Sequence, residues 1–302
     1  MIAVIQGGPS SEAAVSRVSS KAMQEALVEL KLPFEVFEFD DRLIENLKSK
    51  KFKCALIALH GRYGEDGVVQ GICEYLKIPY SGSGVMASAL SFHKEKTKQH
   101  FKLLNIPTPE GFLIDRVKNK KAEDYPRPKN YPAIIKPNQD GSSVGVYICK
   151  DEKTYLTSLT DAITKFSSLI VEQFIVGHDV TVGLFNGEAL EPIMIKPKDG
   201  FYNYENKYTA GKTDYLIPAP IKDETKKKLK EYSERIFNHF ELRAYARVDF
   251  MLDEHENMFA LEVNTLPGMT PTSLLPKAAK HQGYKFTDII QMLIDTATLD
   301  LV

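Results

Sequence analysis

FALEVNTLPGMT, residues 259–270, places Glu262 and Asn264 two apart inside an apolar run, and ARVDFMLD, residues 246–253, places Arg247 and Asp249 at the same spacing. Side chains alternate along a strand, so residues two apart share a face. Between the two runs lies Glu254-His255-Glu256-Asn257, a polar stretch suited to a four-residue hairpin loop. Such a loop pairs Asp253 with Met258, which sets Asp249 opposite Glu262 and Arg247 opposite Asn264. The other face then carries Val248, Phe250, Leu252, Phe259, Leu261 and Val263, all apolar. A slip of one residue would turn the polar set into the core, so the sorting supports the register. Opposed side chains stand about 5 Å apart at Cβ, and two carboxylates at that distance repel. A bound cation removes the repulsion. Two carboxylates and an amide, with no His or Cys, suit a hard ion such as Mg2+, whose remaining ligands come from water and substrate phosphate. The plain alternative is a half-exposed hairpin with ordinary surface charges.

The 302 residues are enough for two or three units with a substantial core. Apolar residues make up 43 % and charged residues 26 %, as in ordinary soluble globular proteins. A formal net charge of −1 argues against a general nucleic-acid or membrane surface. Cys54, Cys73 and Cys149 lie far apart in apolar contexts, with no metal-ligand spacing and no disulfide frame. This usage suits a reducing compartment. MIAVIQGG is too short an apolar run for a signal peptide, and no stretch approaches the roughly 20 apolar residues of a membrane span. A cytoplasmic protein is expected.

Along the chain, MIAVIQGG reads as a buried strand running into a glycine turn. SEAAVSRVSSKAMQEALVEL follows as a helix, with Ser10 or Ser11 as N-cap. FEVFEFD and ALIALHG are further strands, and GVVQGICEYLKI is a helix. Strands alternating with helices mean βαβ units and a parallel sheet, with functional groups beyond the carboxyl ends of the strands. Gly7, Gly8, Ser10, Glu12, His60 and Glu65 fall at such ends. The GGPSSE turn lacks both the Walker ending and the dinucleotide fingerprint. MASALSFHKEKTKQHFKLLNI reads as one lysine-rich helix. A small α+β unit follows, with strands AIIKP and SLIVEQFI and a helix over 152–165. The last third is strand-rich to about 195, loop-rich to 220, helical over 223–240, then the hairpin, and ends in a helix near 286–298.

IIKPNQDGSSVGV, residues 134–146, sets Lys136 at a strand end before Gly141, Ser142, Ser143 and Gly145. Glycines let backbone N–H groups approach phosphate, and hydroxyls and lysine add donors. An ordinary hairpin turn is the alternative. Lys94 lies in a lysine-rich run, usually a solvated face. Glu172 and Asp179 can accept from an adenine amino group or a ribose hydroxyl, or stand as surface charges. GFYNYENKYTAGKTDYLIPA, residues 200–219, is a tyrosine-rich polar loop long enough for a lid, or else a connector. His60 in LHGRYGEDG is as readily structural as functional.

Together GGPSSEAAVS, LHGRYGEDGVVQG, KPNQDGSSVGV, YNYENKY, YARVDF and LEVNTLPGMTPTSLLP resemble the D-alanine–D-alanine ligase family of ATP-grasp enzymes, in that family's order and over nearly the whole chain. The resemblance implies a three-domain α/β ATP-grasp fold. Its expected units are an N-terminal Rossmann-like parallel-sheet domain over 1–85, a central ATP-grasp subdomain over 86–178, and a C-terminal subdomain over 179–302 with metal site and lid. It implies that Lys94, Lys136 and the loop with Ser143 hold ATP phosphates, that Glu172, Gln173 and Ile175 line the adenine, and that Asp179 meets the ribose. Asp249, Glu262 and Asn264 are implied as ligands of two Mg2+ ions, with Mn2+ as substitute. Lys207 is implied to reach the γ-phosphate from the lid. Glu12, supported by Ser142 and Tyr208, is implied to bind the first D-alanine ammonium, with His60 in the substrate pocket. Ser273 and Leu274 are implied to receive the second D-alanine carboxylate, and Arg247 with the Gly268 N–H to stabilise the oxyanion. The implied reaction joins two D-alanines through an acyl phosphate, releasing ADP and phosphate, for peptidoglycan precursor synthesis.

The chain departs from the family's pattern twice, with Asp179 where Glu is usual and His93 where Asp is frequent. Relatives that make D-alanyl-D-lactate tend to carry a lid His, so Lys207-Tyr208 favours an amine nucleophile. The rivals are a ligase of the same fold for D-lactate or D-serine as second substrate, and a nucleotide-binding regulatory protein without catalysis. A homodimer is the family's common state.

Overall fold

The computed structural model describes residues 1–141, 144–198, 209 and 211–300. It begins with β1 (Ile2–Gln6), α1 (Ala13–Glu29), β2 (Phe34–Glu38), α2 (Leu43–Lys48), β3 (Cys54–Ile57) and α3 (Val68–Leu76). The strands form a parallel sheet in the order β2-β1-β3, as the strand–helix alternation requires. The helix α1 does not start on a serine cap. Glu12 holds the N-cap position and its side chain makes no cap hydrogen bond. Ser10 is diverted, its Oγ donating to the His60 carbonyl at 2.9 Å. That bond ties the turn after β1 to the turn after β3.

The lysine-rich stretch is not one helix. It breaks at His93 into α4 (Val85–Phe92) and α5 (Lys94–Leu103). His93 is extended, at φ −90° and ψ 92°, and its imidazole accepts from the Lys96 N–H at 3.3 Å. An imidazole nitrogen thus does the work of the more usual carboxylate or hydroxyl cap. The break turns the first residue of α5, Lys94, inward, where it is buried. The next unit comprises β4 (Gly111–Asp115), β5 (Ala133–Pro137), β6 (Tyr147–Cys149), α6 (Glu152–Lys165) and β7 (Ser168–Gln173). Its antiparallel sheet runs β4-β7-β5-β6, and α6 packs Tyr155 and Leu159 against Ile135 and Val171.

The third sheet uses β8 (His178–Phe185), β9 (Glu188–Ala189), β10 (Ile193–Pro197), β11 (Thr213–Leu216), then α7 (Asp223–His239), β12 (Tyr245–Leu252) and β13 (Met258–Asn264). Its path is β11-β10-β8-β12-β13, with β9 on β8. The strand β11 occupies ground expected to be loop. The hairpin also differs from expectation at its tip. Leu252, not Asp253, pairs with Met258, and Phe250 pairs with Ala260. A bulge at Leu261 then restores Asp249 opposite Glu262 and Arg247 opposite Asn264. The bulge moves Ala260 into the core and turns Leu261 toward a cleft, so Phe259 and Leu261 do not join the buried face.

Two further helices follow, α8 (Leu274–His281) and α9 (Phe286–Asp295). Ile289, Ile290 and Leu293 of α9 share one core with Ile5, Met23 and Leu27 near the N-terminus. Leu293 is fully buried there. Leu293→Ala is expected to lower unfolding free energy by about 2–5 kcal/mol, read from urea denaturation. A loss below about 1 kcal/mol would mean that α9 does not complete this core.

Candidate active site

A cleft of about 600 Å³ is lined by residues of the two antiparallel sheets and of the turns that follow β1 and β3. The expected site residues that lie among the described ones all line it: Glu12, His60, Lys94, Lys136, Glu172, Gln173, Ile175, Asp179, Arg247, Asp249, Glu262, Asn264, Gly268, Ser273 and Leu274. Ser142, Ser143, Lys207 and Tyr208 lie outside the described residues.

On one side β12 and β13 present Asp249 directly opposite Glu262. Arg247 grips Asp249 with two bonds, Nε to Oδ1 and Nη2 to Oδ2, each 2.8 Å. The Thr181 hydroxyl donates to Oδ1 at 2.6 Å and Asn264 Nδ2 to Oδ2 at 3.0 Å. Thr181 comes from β8, where it is paired with Asp249. Lys94 Nζ stands 3.3 Å from Glu262 Oε2 and donates to the Asp140 carbonyl at 2.6 Å. Each carboxylate of the opposed pair therefore meets a cation. Among the described residues no group of three His, Cys, Asp or Glu side chains converges as a metal site. The set is two carboxylates and one amide, which fits a hard divalent ion that takes its other ligands from water and phosphate.

The facing side is built on β5 and β7. Lys136 and Glu172 lie diagonally on neighbouring strands and meet at 2.7 Å. Glu172 is also 2.7 Å from Lys98 of α5. Burial alone would raise the Glu172 pKa, but Lys136 and then Lys98 outweigh it and hold the carboxyl below its usual value. Nothing in the lysine-rich run by itself sets Lys98 apart from a solvated lysine. Its spacing of four from Lys94 was the available signal, because such residues share a helix face.

The third corner holds Glu12, His60 and Glu65. Gly61 and Gly141 make room for Glu12. A Cβ on Gly61 would stand 2.5 Å from Glu12 Oε2 and one on Gly141 2.9 Å, and Gly61 also has φ +68°. His60 is buried. Its Nδ1 faces the Leu266 carbonyl at 3.1 Å and its Nε2 faces the Ser19 hydroxyl at 2.9 Å. A carbonyl only accepts, so Nδ1 carries the proton and Ser19 donates to Nε2. Burial, with the Arg247 charge, pulls the His60 pKa down to about 4 against the bond to Leu266, so the ring is neutral at pH 7. Glu65 accepts from the Gly61 N–H at 3.0 Å, and burial and the nearby Glu12 charge push its pKa up. With Glu65 pushed toward its protonated form, the negative charge that remains at this corner suits an ammonium ligand. Ser273, which also lines the cleft, stands at the N-cap of α8, where a helix N-terminus favours a carboxylate. Its hydroxyl accepts from the Thr270 N–H at 3.2 Å and lies over Gly268.

Comparison with known proteins agrees with this geometry. Residues 35–83 match the family model described as D-ala D-ala ligase N-terminus, and residues 103–295 match D-ala D-ala ligase C-terminus. The chain is 42 % identical to the D-alanine–D-alanine ligase of Syntrophotalea carbinolica, over 99 % of this chain and 96 % of that one. It is 42 % identical to the enzyme so named from Aquifex aeolicus, over 97 % and 99 %. Among solved structures, D-alanine–D-alanine ligase from Bacillus anthracis complexed with ATP superposes with TM-score 0.85 at 31 % identity, covering 98 % of this chain and 96 % of that one. A D-Ala:D-Ser ligase from Enterococcus faecalis gives 0.82 at 25 %, covering 98 % of each. With a family model over most of its length and relatives aligned end to end, the chain belongs to the D-alanine–D-alanine ligase family.

Proposed function

We propose that this chain joins two D-alanine molecules into D-alanyl-D-alanine at the expense of ATP, releasing ADP and phosphate, as a step toward peptidoglycan precursors. The observation that carries the reading is the convergence, in one cleft, of the Lys94 and Lys136 cations, the opposed Asp249–Glu262 pair and the acidic corner at Glu12. In this reading Lys94 and Lys136 meet the polyphosphate, together with the loop carrying Ser143. Glu172, Gln173 and Ile175 surround the base, and Asp179 takes the ribose. Asp249, Glu262 and Asn264 would hold two Mg2+ ions, or Mn2+, which when bound offset the charge that develops during phosphoryl transfer. Glu12 orients the first D-alanine through its ammonium group, with Ser142, Tyr208 and the neutral His60 beside it. The first carboxylate becomes an acyl phosphate, and the second D-alanine amine attacks its carbonyl. Ser273 and Leu274 take the second carboxylate at the start of α8. Arg247 and the Gly268 N–H stabilise the tetrahedral oxyanion, and the lid with Lys207 excludes water.

The same reading treats residues 1–85, 86–178 and 179–302 as the functional units and a cytoplasmic homodimer as the working state. Among the described residues no helix is long and apolar enough to cross a membrane.

Phosphate release with ATP and Mg2+ is expected with D-alanine alone, the product having the mass of the dipeptide, and not with L-alanine. Release that requires added D-serine or D-lactate would transfer the activity to those second substrates. ATP binding without release for any pair would favour the regulatory reading. Asp249→Asn and Glu262→Gln are each expected to lower kcat by about 10²-fold or more with an unchanged circular-dichroism spectrum. Full activity of either variant at low Mg2+ would remove the metal assignment.

His60 makes stability fall in acid. The unfolded chain takes up a proton near 6.5 and the folded chain only near 4. Stability is therefore complete above 6.5 and declines as pH drops through this window, by on the order of 3 kcal/mol. His60→Asn should flatten this part of the stability–pH curve, measured by denaturant unfolding between pH 4 and 7. An unaltered slope would show that the ring is not held neutral.

A further inference from the structure

Lys98 is an unusual lysine. Its side chain is 6 % exposed, yet it does not line the cleft among the described residues. It stands behind Glu172, with Nζ 2.7 Å from Oε1, while Lys136 reaches Oε2 from the cleft side at 2.7 Å. Lys98 Nζ also donates to the Thr108 hydroxyl at 2.9 Å. Thr108 in turn donates to the Ala260 carbonyl at 2.8 Å, and the Ala260 N–H donates to the Pro107 carbonyl at 2.8 Å. Ala260 adjoins the bulge of β13 and lies two residues before Glu262. One ammonium group thus joins the sheet that carries Lys136 and Glu172 to the strand that carries Glu262.

The charges of this cluster point the same way. Lys136 and Glu172 alone would form a neutral pair, with the lysine held back by a fully buried carboxylate. Adding Lys98 gives two cations to one anion. The carboxylate is shared, and one positive charge remains directed at the cleft from Lys136. Holding a third charge in this interior opposes burial, which pulls the Lys98 pKa down to about 8 while the Glu172 charge pushes it back up. A salt bridge needed only for packing would be neutral, since two well-packed apolar groups often serve as well.

We propose that Lys98 is a positioning residue for ATP. It anchors Glu172 from behind and fixes its place relative to β13, so that Lys136 keeps its charge for the polyphosphate. The proposal rests on the reading of the cleft as an ATP site, and direct nucleotide binding separates the two. Calorimetric titration with ATP and Mg2+, without D-alanine, is the first measurement. Lys98→Met, similar in length and without charge, is expected to weaken ATP binding about tenfold or more, by analogy with the loss of a group that orients a metal-binding side chain. In turnover the KM for ATP should rise by a similar factor, with little change in the KM for D-alanine. Lys98→Arg should restore most of the affinity. Adding Lys98→Met to Glu172→Gln should weaken ATP binding by much less than tenfold further, because Lys98 acts through that carboxylate. A purely structural lysine would lower thermal stability and leave these ratios alone.

If wild type binds ATP and folded Lys98→Met binds it equally well, the proposal is overturned and the ATP site stands. If wild type does not bind ATP, both are overturned. Should Lys98→Met not fold, Thr108→Val breaks the link to β13 while leaving the charge. A weaker affinity for ATP in that variant supports the proposal, and an unchanged one overturns it.

Discussion

Asp249 and Glu262 are like charges held face to face by a backbone ladder, and the surroundings of the cleft answer that repulsion. Arg247 takes Asp249 bidentately, and Lys94 reaches Glu262 from the start of a different helix. The break at His93, the inward turn of α5 and the contact of Lys94 with the Asp140 carbonyl follow from bringing a cation to that point. The same face of that helix brings Lys98 to Glu172 of β7. One short helix therefore supplies a cation to a carboxylate on each side, Lys94 to Glu262 at the cleft and Lys98 to Glu172 from behind it.

The cleft is graded in character from end to end. The corner at Glu12 and Glu65 is acidic, the middle is cationic around Lys94 and Lys136, and apolar groups such as Ile175, Met251 and Leu261 contribute to its lining. On the proposed reading, an amino acid's ammonium, a chain of phosphates and a flat base would each meet the region of matching character. Neutral His60, fixed by Ser19 and the Leu266 carbonyl, keeps a further positive charge away from the acidic corner at ordinary pH.

Much of this was readable from side-chain pattern. The opposition of Asp249 and Glu262, the parallel N-terminal sheet, the strands around Lys136 and Glu172, and the helix over 152–165 all follow from periodicity and turn chemistry. What was not readable depends on tertiary contacts. The bulge at Leu261 leaves the polar pairing intact and changes only which apolar residues are buried, so alternation could not reveal it. The break at His93 lies in a stretch with good helical spacing, and the inward demand on Lys94 overrides it. Lys98 looked solvent-facing because its partner Glu172 is 74 residues away in sequence. Ser10 lost the expected cap role to the His60 carbonyl, a partner from another turn.

The last helix, α9, packs beside α1 in the core that also holds the first strand. During synthesis Ile5, Met23 and Leu27 leave the ribosome well before Ile289, Ile290 and Leu293, which follow more than 250 residues later. The first sheet keeps part of its apolar surface uncovered until that later segment has been made. Contacts of such wide sequence separation slow folding and prolong exposure to aggregation. The acidic corner at Glu12 grows out of that same sheet and α1, so its framework rests on a core closed by residues distant in sequence.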